Sequence, residues 1–440
     1  MQFANIKAQT SPDIKRTKHW YFGVNAGLDF SGGAPVAVTN GQVVSDNSAS
    51  ISDTSGNLLF YTDGKSVWNK NHQLMPNGTG LNGNSYGKVL IVPQPLNDSI
   101  YYIFTTFVHP SPPALTGFQY SMVNIKLNGG LGNVTIKNNP ILDSSWERLT
   151  AVKHANGKDV WVAVTKVFTN KIYCYLLTST GFTTSPVISS VGHPDNYGAC
   201  QFKFSASGKK LAMPCNQDSS QIFDFDHATG ILSNVVKLPT GYSNWTDYWA
   251  EFSPDESKLY LSRNIPAFGN YPSGINLLYQ VDLLAGSQTN IINSITFIDT
   301  ISKSPGSGIQ RGSDGYLYVG RTLRASLGRI NNPNAYGMGC NFDTNAVNLI
   351  GKQCGEALPN FVSSDFYDPS LLSGIETITN KIEPKIYPNP SVTGVFYTNV
   401  DFNNEQIEVY NILGDCLKKQ YISENTIDLR YLDNGLYIIE

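Results

Sequence analysis

Aromatic and cationic side chains are concentrated in two short stretches of this sequence. Trp245, Tyr248 and Trp249 form its densest aromatic cluster. Aromatic faces beside polar groups stack on sugar rings or anchor a protein partner. The second stretch carries guanidinium groups, which suit carboxylates and phosphates, at Arg311, Arg321, Arg324 and Arg329. The aromatic cluster and the first three arginines are our candidate ligand-binding residues; core packing and solvated strand edges are the alternative interpretations.

Other reactive side chains do not form a catalytic or metal-binding pattern. Asp224 and Asp226 alternate along a predicted strand and share a face, but they are also placed to end that strand and cap its turn. The motif GNSYG at 83–87 has the spelling of a nucleophile elbow, yet it lies in a glycine-rich loop without the strand and helix that this motif requires. The six histidines lie far apart in the sequence. We therefore predict no catalytic residue, no metal site and no cofactor.

Composition limits the class of protein. The chain has 440 residues, 31 Lys and Arg against 34 Asp and Glu, and a net charge of −3, which argues against nucleic-acid binding. No stretch approaches the eighteen or more apolar residues of a spanning helix, so we predict no transmembrane segment. The many Gly, Pro, Tyr and Phe residues favour short strands separated by turns. The sequence therefore predicts an all-β protein.

A repeated pattern of strand, tight polar turn and strand runs through the first 360 residues. The turn positions are about 52 residues apart on average, close to the roughly 40–50 residues of one propeller blade. Most of them are glycine, which adopts the positive φ of a tight hairpin without strain. The six copies are centred on Gly56, Asp98, Gly157, Gly208, Glu256 and Gly315.

The repeat predicts a β-propeller over residues 19–366. Division of this span by the repeat length favours seven blades, with six as the alternative. We expect the segments 20–30 and 360–366 to share a closing blade, which removes exposed sheet edges. A tandem of β-sandwiches is the other architecture that such turn signals allow.

Four cysteines are candidates for two disulfide bridges. In the hairpin where Phe204 is predicted to face Leu211, Cys200 and Cys215 fall in the same register. Cys340 and Cys354 flank a loop that a bridge could close, worth about 3 kcal/mol in the chain-entropy model. Reduced, buried cysteines are the alternative for both pairs.

The composition changes after the repeats. Residues 367–384 have no clear period and read as a linker. Residues 385–440 alternate apolar and polar side chains between turn residues, which predicts a small antiparallel β-sandwich. Residues 437–439 look like a strand in progress, so we expect this domain to be truncated and to lack its final strand.

The last 56 residues resemble a known family. YPNP at 387–390 (Tyr387, Pro388, Asn389 and Pro390), VYNILG ending at Gly414, and the segment containing Gly435 and Tyr437 are similar to the type A C-terminal sorting domain of Bacteroidetes type IX secretion cargo. WYFG at 20–23 and LPNFVSSDF at 358–366 resemble propeller regions of secreted proteins from the same phylum. NIKAQ at 5–9 resembles the end of a signal peptide, so residues 1–18 are interpreted as an N-terminal segment with a signal-peptide remnant.

The resemblance implies export to the cell surface or the medium, with the type IX translocon and a sortase-like protease as partners. For the propeller we favour a secreted or surface-attached binding or adhesion module that recognises a glycan or protein, because recognition residues concentrate on loops held by a rigid scaffold. The alternative is an exported polysaccharide hydrolase or lyase with carboxylates at an axial site. Propellers host both activities, so the fold alone does not choose between them.

Overall fold

The computed structural model divides the chain into two compact units, Met1–Gly374 and Ile375–Glu440. The structure describes residues 12–83, 88–108, 116–194, 200–214, 219–241, 245–267, 274–303, 306–372, 386–398, 406–412, 414–421 and 425–439.

Seven antiparallel sheets follow one another along the described part of the first unit. The first has the order β3-β2-β1-β4 and contains β1 (His19–Val24), β2 (Ala26–Asp29), β3 (Val36–Val38) and β4 (Val44–Ser45). The second contains β5 (Ala49–Ser52), β6 (Leu58–Thr62), β7 (Ser66–Asn69) and β8 (Leu74–Thr79). The third contains β9 (Val89–Pro93), β10 (Ile100–Val108), β11 (Thr116–Asn124) and β12 (Asn133–Leu142), with the short helix α1 (Leu127–Gly130) between the last two.

The remaining four sheets keep the same strand order as the chain. The fourth contains β13 (Ser145–Lys153), β14 (Val160–Lys166), β15 (Lys171–Thr178), β16 (Gly181–Phe182) and β17 (Val187–Ser190), which pairs with β15. The fifth contains β18 (Lys203–Phe204), β19 (Lys210–Met213), β20 (Ser219–Asp226) and β21 (Ile231–Pro239). The sixth contains β22 (Thr246–Phe252), β23 (Lys258–Ile265), β24 (Ile275–Asp282), helix α2 (Gln288–Asn293) and β25 (Thr296–Ser302). The seventh contains β26 (Ile309–Arg311), β27 (Leu317–Val319), β28 (Ser326–Ile330) and β29 (Phe342–Asn348).

The six hairpins predicted from the repeat are all present, and each is the first hairpin of one of the second to seventh sheets. Phe204 faces Leu211, as expected. The glycine turns have positive φ, but in the second copy the left-handed residue is Leu96, at 56°, and not Asp98. Glu256 also has a positive φ, of 59°. Its carboxylate accepts hydrogen bonds from the backbone N–H and the hydroxyl of Ser207, both at 2.6 Å, which offset part of the conformational cost.

Hydrophobic clusters lie between consecutive sheets. One joins Phe60 of the second sheet to Ile103 of the third, and another joins Phe104 of the third to Val162 of the fourth. A further cluster joins Trp20 of the first sheet to Tyr318 and Leu327 of the seventh. Each sheet is therefore buried on its faces by its neighbours in the chain, and the first sheet is packed on the last.

Residues 357–366, here called the central segment, are all buried although they contain no strand. The segment ends in a 3₁₀ turn, Ser363–Phe366. Asn360 donates its backbone N–H to Ser48 O and its side-chain amide to Leu149 O, at 3.0 and 3.2 Å. The ring of Phe361 lies 6.0 Å from that of Trp20. The central segment is thus enclosed by sheets that are far apart in sequence.

The end of the repeats therefore differs from the expected closing blade. Residues 360–366 belong to no sheet of the described chain, because they run through the space between the first strands. The stretch just before the central segment reaches the first sheet through an isolated β-bridge between Gln353 and Val24. Residues 12–17 form another 3₁₀ turn that contacts β5 and the turn of the central segment, so this part of the predicted N-terminal segment belongs to the folded unit.

The second unit contains two three-stranded antiparallel sheets. One has the order β30-β31-β34 and the other β33-β32-β35. Ile407, Val409, Ile427 and Leu429, from strands of both sheets and the residue after β34, form one hydrophobic core. The strands are β30 (Ile386–Tyr387), β31 (Val395–Thr398), β32 (Gln406–Asn411), β33 (Cys416–Tyr421), β34 (Thr426–Asp428) and β35 (Tyr437–Ile439). A short helix α3 (Pro369–Leu372) precedes them, in the first unit. The predicted linker continues over residues 373–384, outside the described residues.

Candidate functional site

Side chains from five parts of the first unit lie close together near the starts of the first strands of several sheets. Lys88 precedes β9, Glu147 is the third residue of β13, and Trp249 lies in β22. The ammonium group of Lys88 donates to Asn47 Oδ1 at 3.2 Å, lies 3.9 Å from Glu147 Oε2, and lies 5.6 Å from the centre of the Trp249 ring. We call Asn47, Lys88, Glu147, Trp249 and Glu356 the Lys88 cluster, since Glu356 interacts electrostatically with both Lys88 and Glu147.

Burial dominates the electrostatics of this cluster. Burial raises the pKa of Glu147 to about 7; the charges of Lys88 and Arg148 oppose the shift, and the negative charge of Glu356 adds to it. Burial also raises the pKa of Glu356, with Asp46 adding to the shift and Lys88 opposing it. Two carboxyl groups near one ammonium group thus share a site in which their full ionisation is unfavourable. Such a site can exchange protons near neutral pH and can donate and accept hydrogen bonds.

A second set of charges lines the first strands further along the chain. Lys203 donates to Glu251 Oε2 at 2.8 Å and to Gln310 Oε1 at 3.1 Å, and all three side chains are buried. The same carboxylate oxygen of Glu251 accepts the backbone N–H of Arg311 at 3.2 Å. We call the first strands of the sheets and the residues just before them the inner wall of the first unit. The inner wall therefore contains buried charged groups, unlike the hydrophobic clusters between the sheets.

Several buried polar atoms on this inner wall lack a hydrogen-bond partner. Of the eleven such side-chain atoms found among the described residues, seven belong to residues at or within the first strands or to the central segment; these are in Ser48, Thr150, Gln201, Ser307, Arg311, Asn360 and Ser363. Buried polar groups are normally satisfied by protein, water or ligand. The inner wall therefore offers hydrogen bonds to small polar molecules.

The structure places one of the three predicted aromatic residues in the Lys88 cluster. Trp249 is 4% exposed, and the neighbouring ring of Tyr248 lies 5.5 Å from it. Trp245 instead packs against a separate small cluster that contains Ile265 and Leu277. The predicted set is therefore divided between the candidate site and a sheet core.

The predicted arginines are not brought together at a common site. Arg311 is buried in the inner wall beside Glu251, and burial lowers the pKa of its guanidinium group although Glu251 opposes the shift. Arg321 donates to Ile301 O, Ser326 Oγ and Asn345 Oδ1, which ties strand ends together. Arg324 is exposed, and its backbone carbonyl accepts the N–H of Cys354. Arg329 donates to Asn331 and lies over the ring of Tyr316.

The predicted bridge between Cys340 and Cys354 is absent from the structure, where both are free, buried thiols. Cys340 packs with Tyr260 and Leu278, whereas Cys354 packs with Trp20, so the two sulfurs belong to different hydrophobic clusters. Burial raises the pKa of the Cys354 thiol to about 12, which keeps it protonated. The pair of Cys200, which is buried, and Cys215 falls outside the described residues, because Cys215 is not among them.

The remaining candidate groups of the sequence have structural contacts. Asp224 accepts from Lys210 and Asn234, and Asp226 caps the following turn through Ala228 N and Thr229 Oγ1. The motif at 83–87 lies outside the described residues except for Gly83. Within the described part of the chain, no group of three His, Cys, Asp or Glu side chains is close enough to hold a metal ion.

The family-like residues of the second unit lie at its strand ends and turns. Tyr387 ends β30, and its ring lies 6.2 Å from that of Tyr397; Pro388, Asn389 and Pro390 follow it. Gly414 adopts a positive φ of 88° in the turn between β32 and β33. Gly435 precedes β35, and the hydroxyl of Tyr437 donates to Asp433 O at 2.7 Å.

Sequence reasoning did not identify Lys88, Glu147 or Glu356. The only signal of Lys88 and Glu147 in the sequence is position, since each stands just before or near the start of the first strand of a sheet. A search for charged residues at equivalent positions of the repeat finds Lys88 and Glu147. Glu356 has no such signal, because the central segment lacks the hairpin pattern.

Comparison with known families identifies the end of the chain. Residues 385–440 match the secretion system C-terminal sorting domain. This tail indicates that the protein is secreted and attached to the cell surface as cargo of the type IX secretion system. No helix of the described residues is both long and apolar enough to cross a membrane.

The chain is distantly similar to several solved structures. A Bacteroides fragilis NCTC 9343 protein, provisionally described as a 6-phosphogluconolactonase, is 13% identical, with 78% of this chain and 97% of that chain covered and a TM-score of 0.45. A similarly described protein of Bacteroides uniformis ATCC 8492 is 12% identical, with 76% and 98% covered and a TM-score of 0.43. A quinonprotein alcohol dehydrogenase-like protein of Bacteroides thetaiotaomicron VPI-5482 is 14% identical, with 79% and 77% covered and a TM-score of 0.38. No curated protein sequence matches the chain.

Proposed function

We propose that the first unit is a closed, seven-bladed propeller whose blades are its seven sheets. The support is a circuit of neighbouring inner segments: β5 contacts β9, β9 contacts β13, β13 contacts β18, and β22 contacts β26. Gln201 N donates to Tyr248 O at 2.9 Å between the fifth and sixth sheets. Gly308 N donates to Glu356 O, and Asn360 N donates to Ser48 O, which returns the circuit to the second sheet.

We further propose that this propeller is a binding module displayed at the cell surface, with a glycan or a protein as its ligand. The observation that carries the proposal is the Lys88 cluster, in which an ammonium group, two carboxyl groups, an amide and an indole converge from different sheets. Hydroxyl-rich ligands use this combination, because sugars form hydrogen bonds through their edges and stack through their faces.

A hydrolase or lyase for polysaccharides is the second candidate. It is favoured by the raised pKa of Glu147, about 7, beside the second carboxyl group of Glu356. A general acid that remains protonated near neutral pH next to a second carboxylate is the arrangement of glycoside hydrolysis. The binding role is preferred because the ammonium group of Lys88 lies 3.9 Å from the carboxylate of Glu147 and 5.6 Å from the centre of the Trp249 ring, so the carboxyl group already has a cationic neighbour.

The test compares the 440-residue chain with two variants of the Lys88 cluster, Glu147→Gln and Lys88→Met, on arrays of glycans and surface proteins. Asp224→Asn is the matched control, since its carboxylate lies on a solvent-facing part of the fifth sheet. We expect one ligand class to bind, and both cluster variants to lose at least tenfold in affinity. Turnover of a polysaccharide that Glu147→Gln abolishes would replace the binding role by the enzymatic one. No binding to any arrayed ligand would refute both.

For the tail we propose recognition by the type IX translocon, followed by removal by a sortase-like protease. Mass spectrometry of the surface-attached protein tests this in a host that has the secretion system. We expect a new C terminus between the two units. An intact tail on the surface protein would contradict the removal step.

A further inference from the structure

A cavity lies near the ends of the first strands, whereas the Lys88 cluster lies near their starts. Glu147 and Lys153 lie six residues apart on β13, which at about 3.3 Å per residue separates them by about 20 Å. Lys153 lines a cavity of about 440 Å³, within the usual size range of small-molecule sites. The cavity lies between the third and fourth sheets, with the central segment against it.

One wall of this cavity is apolar. It is formed by Pro93, Pro95, Leu96, Val160 and Val362. Leu96 is 78% exposed and holds a positive φ of 56°. A leucine in this conformation costs about 1–2 kcal/mol, and such strain is concentrated at ligand sites.

The lining also carries six charged groups, which are Asp13, Asp98, Asp365, Arg16, Lys153 and Lys158. Asp13 accepts hydrogen bonds from Arg16 Nε at 3.2 Å and from Lys153 Nζ. Although burial alone would raise it, the pKa of Asp13 is lowered by Lys153 and Arg16. Asp13 thus accepts hydrogen bonds from both cations, while the charge of Asp365 also interacts with Arg16.

Asp365 differs from Asp13 in that, among the described residues, neither cation donates a hydrogen bond to it. It lines the cavity, is only 4% exposed, and its carboxylate takes part in no hydrogen bond among the described residues. Burial and the charge of Asp13 raise its pKa to about 7, while Arg16 and Lys153 oppose the shift. A buried carboxyl group without a partner is costly unless a ligand or water satisfies it.

The charge of the wall indicates the class of ligand. With all six groups ionised, the three carboxylates balance the three cationic groups, so a ligand with net charge gains little. A neutral molecule that both donates and accepts hydrogen bonds matches this wall, and aliphatic C–H faces match the proline, leucine and valine wall. We propose that this cavity, the Asp365 pocket, binds a neutral saccharide unit through hydrogen bonds from its hydroxyl groups to Asp365.

The test uses saturation-transfer NMR and titration of the 440-residue chain at pH 8 with glucose, galactose, mannose, xylose, arabinose, maltose and cellobiose. We expect at least one sugar to bind, and Asp365→Asn to weaken it about tenfold, since a charge-assisted hydrogen bond is lost. Leu96→Gly, which relieves the strain but removes part of the apolar wall, should weaken binding several-fold. Asp224→Asn, a carboxylate outside the pocket, should leave the affinity unchanged.

The proposal is overturned if no sugar of the panel binds, or if Asp365→Asn and Leu96→Gly both bind with the affinity of the parent chain. Loss of binding in Glu147→Gln but not in Asp365→Asn would assign the sugar to the Lys88 cluster and likewise overturn it. Loss in Asp365→Asn alone supports the pocket even when the Lys88 cluster binds nothing, so the two proposals fail separately. If Asp365→Asn does not fold, Leu96→Gly and the pocket-filling Leu96→Trp decide.

Discussion

Arg263 and Asp247 in the sixth sheet form a two-point ion pair whose side chains are 3% and 0% exposed. Arg430 and Asp428 in the second unit form a pair of the same residue types, with side chains 67% and 46% exposed. The first pair also receives a hydrogen bond from Ser220 to the carboxylate, and the guanidinium lies 4.5 Å from the centre of the Tyr279 ring. The same type of ion pair, between an arginine and an aspartate, is thus buried in the first unit and exposed in the second unit.

The contrast shows where each unit holds its charged side chains. Burial strengthens the interactions of charges but makes each unmatched charge costly, so the first unit holds polar groups in fixed positions around its inner wall. The second unit is small and keeps its charges in water, where they contribute little to stability. This pattern agrees with the proposed binding role of the first unit and with a second unit that is a sorting tail.

Asp247→Ala should have the largest effect, because it leaves the buried guanidinium of Arg263 without its partner. We expect a loss of about 4–5 kcal/mol in the free energy of unfolding of the first unit. Urea unfolding followed by tryptophan fluorescence measures it, since all six tryptophans lie in the first unit. A loss below about 1 kcal/mol would show that water reaches the pair. The double variant Asp247→Leu with Arg263→Met should recover much of the loss.

Phe361→Ala should destabilise the first unit by about 3 kcal/mol, through a cavity in the cluster that joins the central segment to the first and seventh sheets. The matched control is Phe168→Ala, whose ring is 68% exposed and should contribute less than about 1 kcal/mol. The same fluorescence experiment measures both. Equal effects of the two substitutions would contradict the enclosure of the central segment.

Asp365→Asn should change how stability depends on pH. Because burial and Asp13 raise the pKa of Asp365 from 3.8 to about 7, the folded state holds the proton more tightly than the unfolded state. The stabilisation is therefore complete below pH 4 and is lost as the pH rises to about 7, by a few kcal/mol at most. Unfolding at pH 5 and pH 8 should show a smaller difference in the variant than in the parent chain. An unchanged difference would mean that Asp365 has a partner in solution.

Asp428→Asn in the second unit should have the smallest effect on stability, because its partner Arg430 remains in water. Hydrogen exchange of peptides from residues 386–439 measures the stability of this unit directly. An effect as large as that of Asp247→Ala would remove the contrast between the two units.

Much of the fold was predictable because its signals are local. A tight hairpin needs positive φ at one residue, so Gly157, Gly208 and Gly315 mark turns that the structure contains. The pairing of Phe204 with Leu211 follows from the position of the turn between them. The predicted sheet position of residues 360–366 was wrong, because a segment enclosed on all sides and a buried strand have the same apolar composition.

The candidate site was largely not predictable. Trp249 was selected for its aromatic neighbours, yet Trp245 of the same stretch belongs to a sheet core. The predicted Cys340–Cys354 bridge rested on proximity in sequence, whereas the two thiols lie in different clusters. Proximity along the chain is a poor guide here, because each sheet directs successive residues towards different neighbours.

The amino-acid sequence by itself determined the all-β class, the positions of the six hairpins and the presence of a sorting tail, since these depend on local backbone preferences and on short motifs. The tertiary structure alone decided that Lys88, Glu147 and Trp249 meet, and that the Asp365 carboxylate lines a cavity without a hydrogen bond from any other described residue. The physical reason is that the packing of sheet on sheet, and of a buried segment between them, brings together residues separated by 59 positions or more.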